Sequence, residues 1–99
     1  MSTLYITEYT AIGKSSGSVA QAPLEPPVAE QTVTFTTTTQ SSTLNAATRL
    51  VRVTPDADCH IAVGTNPTAT TSNRKMGAGT VEYLAIPQGS NLIIAAVDA

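Results

Sequence analysis

Asp58, Cys59 and His60 stand side by side near the middle of the chain, and Cys59 and His60 are its only cysteine and histidine. Two kinds of chemistry could start from such a triplet. The first is metal binding. On a β-strand, however, neighbouring side chains point to opposite faces, so Cys59 and His60 could share an ion only across a bulge. A structural zinc site also takes four Cys or His ligands, and this chain holds two. The second is acid–base catalysis, because Asp58 and His60 lie two apart and share a face, like the acid–base half of a hydrolytic triad. The nucleophile would have to come from Ser90 or another distant serine, and no Gly-x-Ser-x-Gly turn presents one. Cys59 reads instead as a small buried residue in register with Ile61 and Val63. His60 reads as a surface histidine beside a turn carboxylate.

Other chemistries fare no better. Seven carboxylates could supply a glycosidase pair, but sugar grooves usually add aromatic platforms, and Tyr5, Tyr9, Phe35 and Tyr83 are all the aromatics there are. Gly77-Ala78-Gly79 lacks the Gly-Lys-Ser/Thr ending of a phosphate loop, and Asn66 is followed by Pro67, which closes it to glycosylation. The sequence therefore predicts no catalytic residue, no metal and no cofactor: a protein that is not an enzyme.

Composition bounds the rest. At 99 residues the chain is read as one domain spanning 1–99. Its net charge of −2 argues against nucleic acid, which needs a concentrated basic face. A lone cysteine allows no internal disulfide. Residues 1–10 do not have the form of a signal peptide, and no run approaches the ~20 apolar residues of a membrane span. A soluble protein assembled in a cytoplasm is expected.

The elements that must position these residues are strands. Residues 3–12 are rich in β-branched and aromatic types, with Leu4, Ile6 and Glu8 on one face and Tyr5, Thr7 and Tyr9 on the other. Residues 31–38 alternate, placing Val33 and Phe35 toward a core and Thr32, Thr34 and Thr36 outward. Further strands are predicted at 48–54, 58–63, 80–86 and 91–97, and Leu44–Ala47 reads as one helical turn. Pro55–Asp58 has the chemistry of a turn that would make 48–54 and 58–63 a hairpin. Residues 64–79 read as a long exposed loop. The last strand is apolar on both faces, which suits a central strand or one covered by a second subunit. The fold class is all-β: a small β-sandwich or jelly-roll-like barrel with an extended N-terminal segment.

That segment, residues 13–31, contains Gly13, Gly17, Pro23, Pro26 and Pro27 and follows neither periodicity. Proline fixes φ and biases its predecessor toward extended backbone. The stretch is either a crossover laid on its own domain or an arm laid on a neighbouring subunit. Leu4, Tyr5, Tyr9, Leu24, Pro26, Pro27 and Val28 are the predicted protein-interface residues, and Arg74-Lys75 in the 64–79 loop marks the alternative surface. Deleting residues 1–30 should then abolish partner binding.

Asn45-Ala46-Ala47-Thr48-Arg49-Leu50-Val51-Arg52-Val53, Ile61-Ala62-Val63-Gly64-Thr65-Asn66-Pro67-Thr68-Ala69-Thr70, Glu82-Tyr83, Ile86-Pro87-Gln88-Gly89 and Pro26-Pro27-Val28-Ala29-Glu30-Gln31 resemble segments of small virion structural proteins of tailed bacteriophages. Among these the chain is most similar to capsid decoration, or cement, proteins. The resemblance implies a viral protein that binds the major capsid protein on the outer shell surface and bridges shell subunits. It also implies a homo-oligomer, trimer or dimer, assembled in the bacterial host cytoplasm and carried on the virion. Two alternatives stay open: a neck, tail or fibre component, and a small-ligand or carbohydrate-binding β module.

Overall fold

A computed structural model describes the backbone of residues 2–15, 18–23 and 25–99, and the side chains of 2–12, 23 and 25–99. The chain is all-β. Among the described residues ten strands follow in order: β1 Ser2–Tyr9, β2 Ile12–Ser15, β3 Ser18–Pro23, β4 Ala29–Phe35, β5 Thr39–Gln40, β6 Leu50–Pro55, β7 Cys59–Gly64, β8 Arg74–Met76, β9 Glu82–Ala85 and β10 Ile93–Asp98. Two antiparallel four-stranded sheets pack face to face as a small β-sandwich. Sheet I runs β4-β1-β6-β9, sheet II runs β5-β10-β7-β8, and β2-β3 form a separate two-stranded ladder.

The alternating strands build the core as period-2 patterning requires. Leu4 and Ile6 from β1, Val33 and Phe35 from β4, and Val51 and Val53 from β6 meet Cys59 and Ile61 from β7, Met76 from β8, and Ile94 and Ala96 from β10. Phe35 is the one aromatic in this cluster, so aliphatic packing carries most of the burial.

The connections differ from the sequence reading. Residues 48–54 and 58–63 do not form a hairpin. β6 pairs with β1 and β9, whereas β7 pairs with β10 and β8. The turn at 55–58 therefore crosses from one sheet to the other, which lets two consecutive amphipathic strands face one core from opposite sides. The 87–90 turn makes the same kind of crossing between β9 and β10. No helical turn forms at 44–47. Asn45 Oδ1 accepts from Ala47 N at 2.9 Å and Asn45 O accepts from Thr48 N at 2.9 Å, an Asn-initiated turn that competes with helix.

The predicted strand 3–12 ends at Tyr9, bends at Thr10–Ala11 and restarts as β2. The 13–31 segment holds the rest of β2, all of β3 and the start of β4. β2 and β3 pair from Ile12↔Pro23 to Ser15↔Ser18, with a register slip between Ile12 and Lys14 where Gly13 stands, a common bulge residue. The Glu25-Pro26 peptide is cis. Val28 N then donates to Glu8 O at 2.8 Å, and β4 begins opposite Glu8. β1 and β4 are thus hairpin partners with the β2–β3 excursion inserted between them. The molecule measures 44 × 26 × 20 Å, whereas an eight-residue strand such as β1 spans only ~27 Å.

Residues 64–73 do more than hang in solvent. Gln40 Nε2 donates to Asn66 Oδ1 at 2.9 Å and to Pro67 O at 2.8 Å, and Ala69 N donates to Thr38 Oγ1 at 3.0 Å. Ala69 is buried. These bonds tie the segment to the β4–β5 end of sheet II, where Gln40 pairs with the fully buried Ala95 of β10. β10 is accordingly a central strand flanked by β5 and β7, with one apolar row in the core.

Candidate protein-interaction surface

Sheet I presents an outer face whose rows follow from the ladder registers. Glu30, Thr7, Arg52 and Tyr83 form one row across β4, β1, β6 and β9, and Thr32, Tyr5 and Thr54 form the next. Tyr5 is 48 % exposed and Tyr83 52 %. Val28 and Ile12, also exposed, lie where the chain leaves and rejoins this sheet. Pro26 is exposed and Pro27 half-buried. Exposed large apolar side chains thus stand on both sides of the polar row Glu30-Thr7-Arg52: Tyr5 within the sheet, and Ile12 and Val28 at the root of the β2–β3 hairpin. Scattered singly such residues are ordinary; gathered on one face they mark contact surfaces.

Several predicted interface residues do not belong to it. Leu4 is fully buried: it shares the inward face of β1 with Ile6, so it packs the core. Tyr9 shares the outer face with Tyr5 yet is buried. Burial, a hydrogen bond to Glu25 and the charge of Glu25 push its phenol above the usual value, Tyr83 adding to the shift and Arg52 opposing it. Val28 N donates to Glu8 O at 2.8 Å, so the returning 25–28 corner is bonded to this end of β1 beside Tyr9. Leu24 lies outside the described residues. Tyr5, Pro26, Pro27 and Val28 remain as surface.

Arg74 and Lys75 separate. They are adjacent on β8, so they face opposite ways. Arg74 Nη1 lies 3.7 Å from Glu82 Oε1, spanning the gap between the β8 edge of sheet II and the β9 edge of sheet I. Lys75 is exposed and stands opposite His60 in the ladder.

The reactive triplet is taken up by structure. Cys59 is fully buried, and burial with the nearby carboxylates Asp58, Asp98 and Glu82 raises its thiol to about 11. A thiol held protonated is a poor nucleophile. His60 Nδ1 lies 3.0 Å from Asn73 O; a carbonyl only accepts, so Nδ1 carries the proton. Asp58 Oδ1 accepts from Ala78 N at 2.8 Å, capping the turn after β8. Asp58 and His60 thus each serve a different loop. Among the described residues no group of three His, Cys, Asp or Glu could hold a metal ion.

Glu8 escaped the sequence reading as more than a face assignment. Its carboxylate is buried and accepts from Thr48 Oγ1 at 2.8 Å, Asn45 N at 2.7 Å and Gln31 Nε2 at 3.3 Å. A charged residue on the inward face of an otherwise apolar strand was the available signal, since buried charge needs donors around it.

No family model, curated protein or solved structure matches the chain.

Proposed function

We propose that the protein is a bacteriophage capsid decoration protein that binds the outer shell and stabilises it by bridging major capsid subunits. The observation that carries this reading is the set of exposed apolar side chains along sheet I, Tyr5 and Tyr83 on its outer face and Ile12, Pro26 and Val28 where the hairpin joins it. It joins the segment resemblance to phage virion proteins. A cement protein acts by complementary surface rather than by chemistry, and many copies on one lattice add their weak contacts through high local concentration. Proline in the docking corner lowers the entropy lost on binding.

The deletion of residues 1–30 no longer tests this reading. β1 is an internal strand of sheet I, so that deletion removes part of the core along with the surface. Point changes serve better. The measurement is the copy number in purified virus-like particles, by quantitative mass spectrometry against the major shell protein. The decoration reading expects one copy per shell subunit or a simple fraction of it. It also expects that copy number to collapse for the double substitution Tyr5→Ser, Val28→Ser. A few dozen copies per particle would move the protein to the neck or tail, and absence from particles would overturn the structural role.

A further inference from the structure

β10 is apolar on both faces, and its outer face needs a cover. Ile94 and Ala96 point into the core, so Ile93, Ala95 and Val97 point out of sheet II. An alanine on the outer face of a sheet would meet water, yet Ala95 is 0 % exposed. Its neighbours in the same row are Gln40 of β5 and Ala62 of β7. The Gln40 side chain points out with them, and its Nε2 donates to Asn66 Oδ1 and Pro67 O. Two residues along β10, His60 stands beside Val97, and its Nδ1 donates to Asn73 O at 3.0 Å. Residues 65–73 therefore leave β7, cross β10 to Gln40 on β5, and return across β10 to His60 before β8 begins. Nine residues whose ends lie on the neighbouring strands β7 and β8 have the form of an Ω-loop. This one is a strap laid over the outer face of β10.

The strap is held lightly. Within it Ala69 alone is buried and Pro67 alone half-buried, and the other residues are exposed. Among the described residues, the side chains that tie it down are Gln40, Thr38 and His60. Its own turn is closed internally: Thr70 N donates to Asn73 Oδ1 at 2.7 Å, and Asn73 N to Thr70 O at 3.0 Å. The sheet beneath keeps its order without the strap, because β10 retains its ladders to β5 and β7 and its apolar row in the core. Segments with few buried apolar contacts and exposed hydrogen bonds open at a lower free energy than the strands they rest on. We infer that the 65–73 strap opens as a unit while the sandwich stays folded, uncovering an apolar strip of Ala62, Ala95 and Val97 on sheet II. Closed, the strap fills the place that a second subunit would take over a strand apolar on both faces. The inference does not rest on the decoration reading: the strap covers sheet II, whereas the proposed shell contact lies on sheet I.

The test uses Cys59 as an internal reference. It is fully buried on the core face of the same sheet, so its labelling reports unfolding of the sandwich. Ala95→Cys places a second thiol on the outer face, beneath the strap. Both thiols are alkylated at pH 8 in rising, sub-denaturing urea and read by peptide mass spectrometry. The Ala95→Cys thiol is expected to react at least about tenfold faster than Cys59. Its rate should hardly depend on urea, because opening a strap exposes little surface, whereas that of Cys59 should climb steeply. Adding Gln40→Ala, which removes two strap bonds, should speed the Ala95→Cys thiol by about tenfold. Equal rates and equal urea dependence at the two thiols would overturn the inference, since the strip would then be uncovered only by unfolding. So would an Ala95→Cys rate that Gln40→Ala leaves unchanged. Should Ala95→Cys not fold, hydrogen exchange of the wild type decides. The Ala69 and Thr70 amides, bonded to Thr38 and Asn73, are expected to exchange with little urea dependence, and sharing the steep dependence of the β10 amides would sink the idea. Shells are absent from both readouts, so failure of the decoration reading leaves them untouched.

Discussion

Thr48 Oγ1 donates to Glu8 Oε1 at 2.8 Å across 40 residues of chain, and both side chains are buried. The bond ties the 45–48 turn, which feeds β6, to the end of β1, next to the point where β4 begins. Hydrogen bonds to a charged acceptor contribute about 1.5–3 kcal/mol each. Thr48→Val, which keeps the shape and removes the donor, should therefore lower unfolding free energy by about 1.5–3 kcal/mol. Glu8→Ala orphans several donors together and should cost more. Urea denaturation measures both, and the double mutant should fall short of the sum because the two residues share one bond. Strict additivity would show that the contact contributes nothing.

Cys59 makes stability depend on alkaline pH. Its thiol is raised from 9.0 to about 11 in the folded chain, so the native state keeps a proton that the unfolded chain has lost. The resulting stabilisation is complete below pH 9 and fades as pH rises toward 11, by up to about 2–3 kcal/mol. Cys59→Ala should flatten this decline while lowering stability at neutral pH through the cavity it leaves. The native thiol should also resist alkylation at pH 8 until denaturant is added. Rapid labelling of the native protein would contradict the burial on which both expectations rest.

Two glycines should respond oppositely to alanine. Gly79 has φ of +76° with open space where a Cβ would stand, whereas a Cβ on Gly64 would meet Pro67 Cβ at an ordinary 3.9 Å. Gly79 N donates to Pro55 O at 2.8 Å, locking the left-handed backbone in place. Gly79→Ala should cost about 1–2 kcal/mol by backbone strain alone. Gly64→Ala, free of that strain, should be neutral or stabilising by up to about 1 kcal/mol. Thermal unfolding of the pair checks this, and equal losses would mean that packing, not φ, sets the cost.

The sandwich was legible because Leu4-Ile6, Val33-Phe35, Val51-Val53 and Cys59-Ile61 each repeat with the two-residue period of a half-buried strand. Which strands neighbour one another was not legible. A Pro-Asp turn looks the same whether it joins partners in one sheet or arches between two, and the choice at 55–58 rests on long-range pairing with β1 and β10. Which of the predicted interface residues are exposed was half legible for a related reason. Tyr5 and Tyr9 occupy equivalent positions in the pattern, yet the chain's own return at 25–28 covers Tyr9 and leaves Tyr5 open. The reach of Arg74 to Glu82 across two sheet edges depends on tertiary placement that no local spacing encodes.

Leu4 and Tyr5 give the sharpest test of where the interaction surface lies. They are neighbours on β1, and the pleat sends one inward and the other outward: Leu4 is 0 % exposed and Tyr5 48 %. Leu4→Ala should cost about 2–5 kcal/mol in unfolding free energy. Any loss of shell binding it causes should follow the unfolded fraction and recover on cooling. Tyr5→Ala falls on the solvent face and should stay within about 0.5 kcal/mol of wild type, while weakening shell binding at every temperature at which the protein is folded. Stability and binding must therefore separate at Tyr5 and move together at Leu4. If Tyr5→Ala left shell binding intact, the outer face of sheet I would not be the contact surface. If Leu4→Ala weakened binding while remaining fully folded, the inward placement of Leu4 would be wrong.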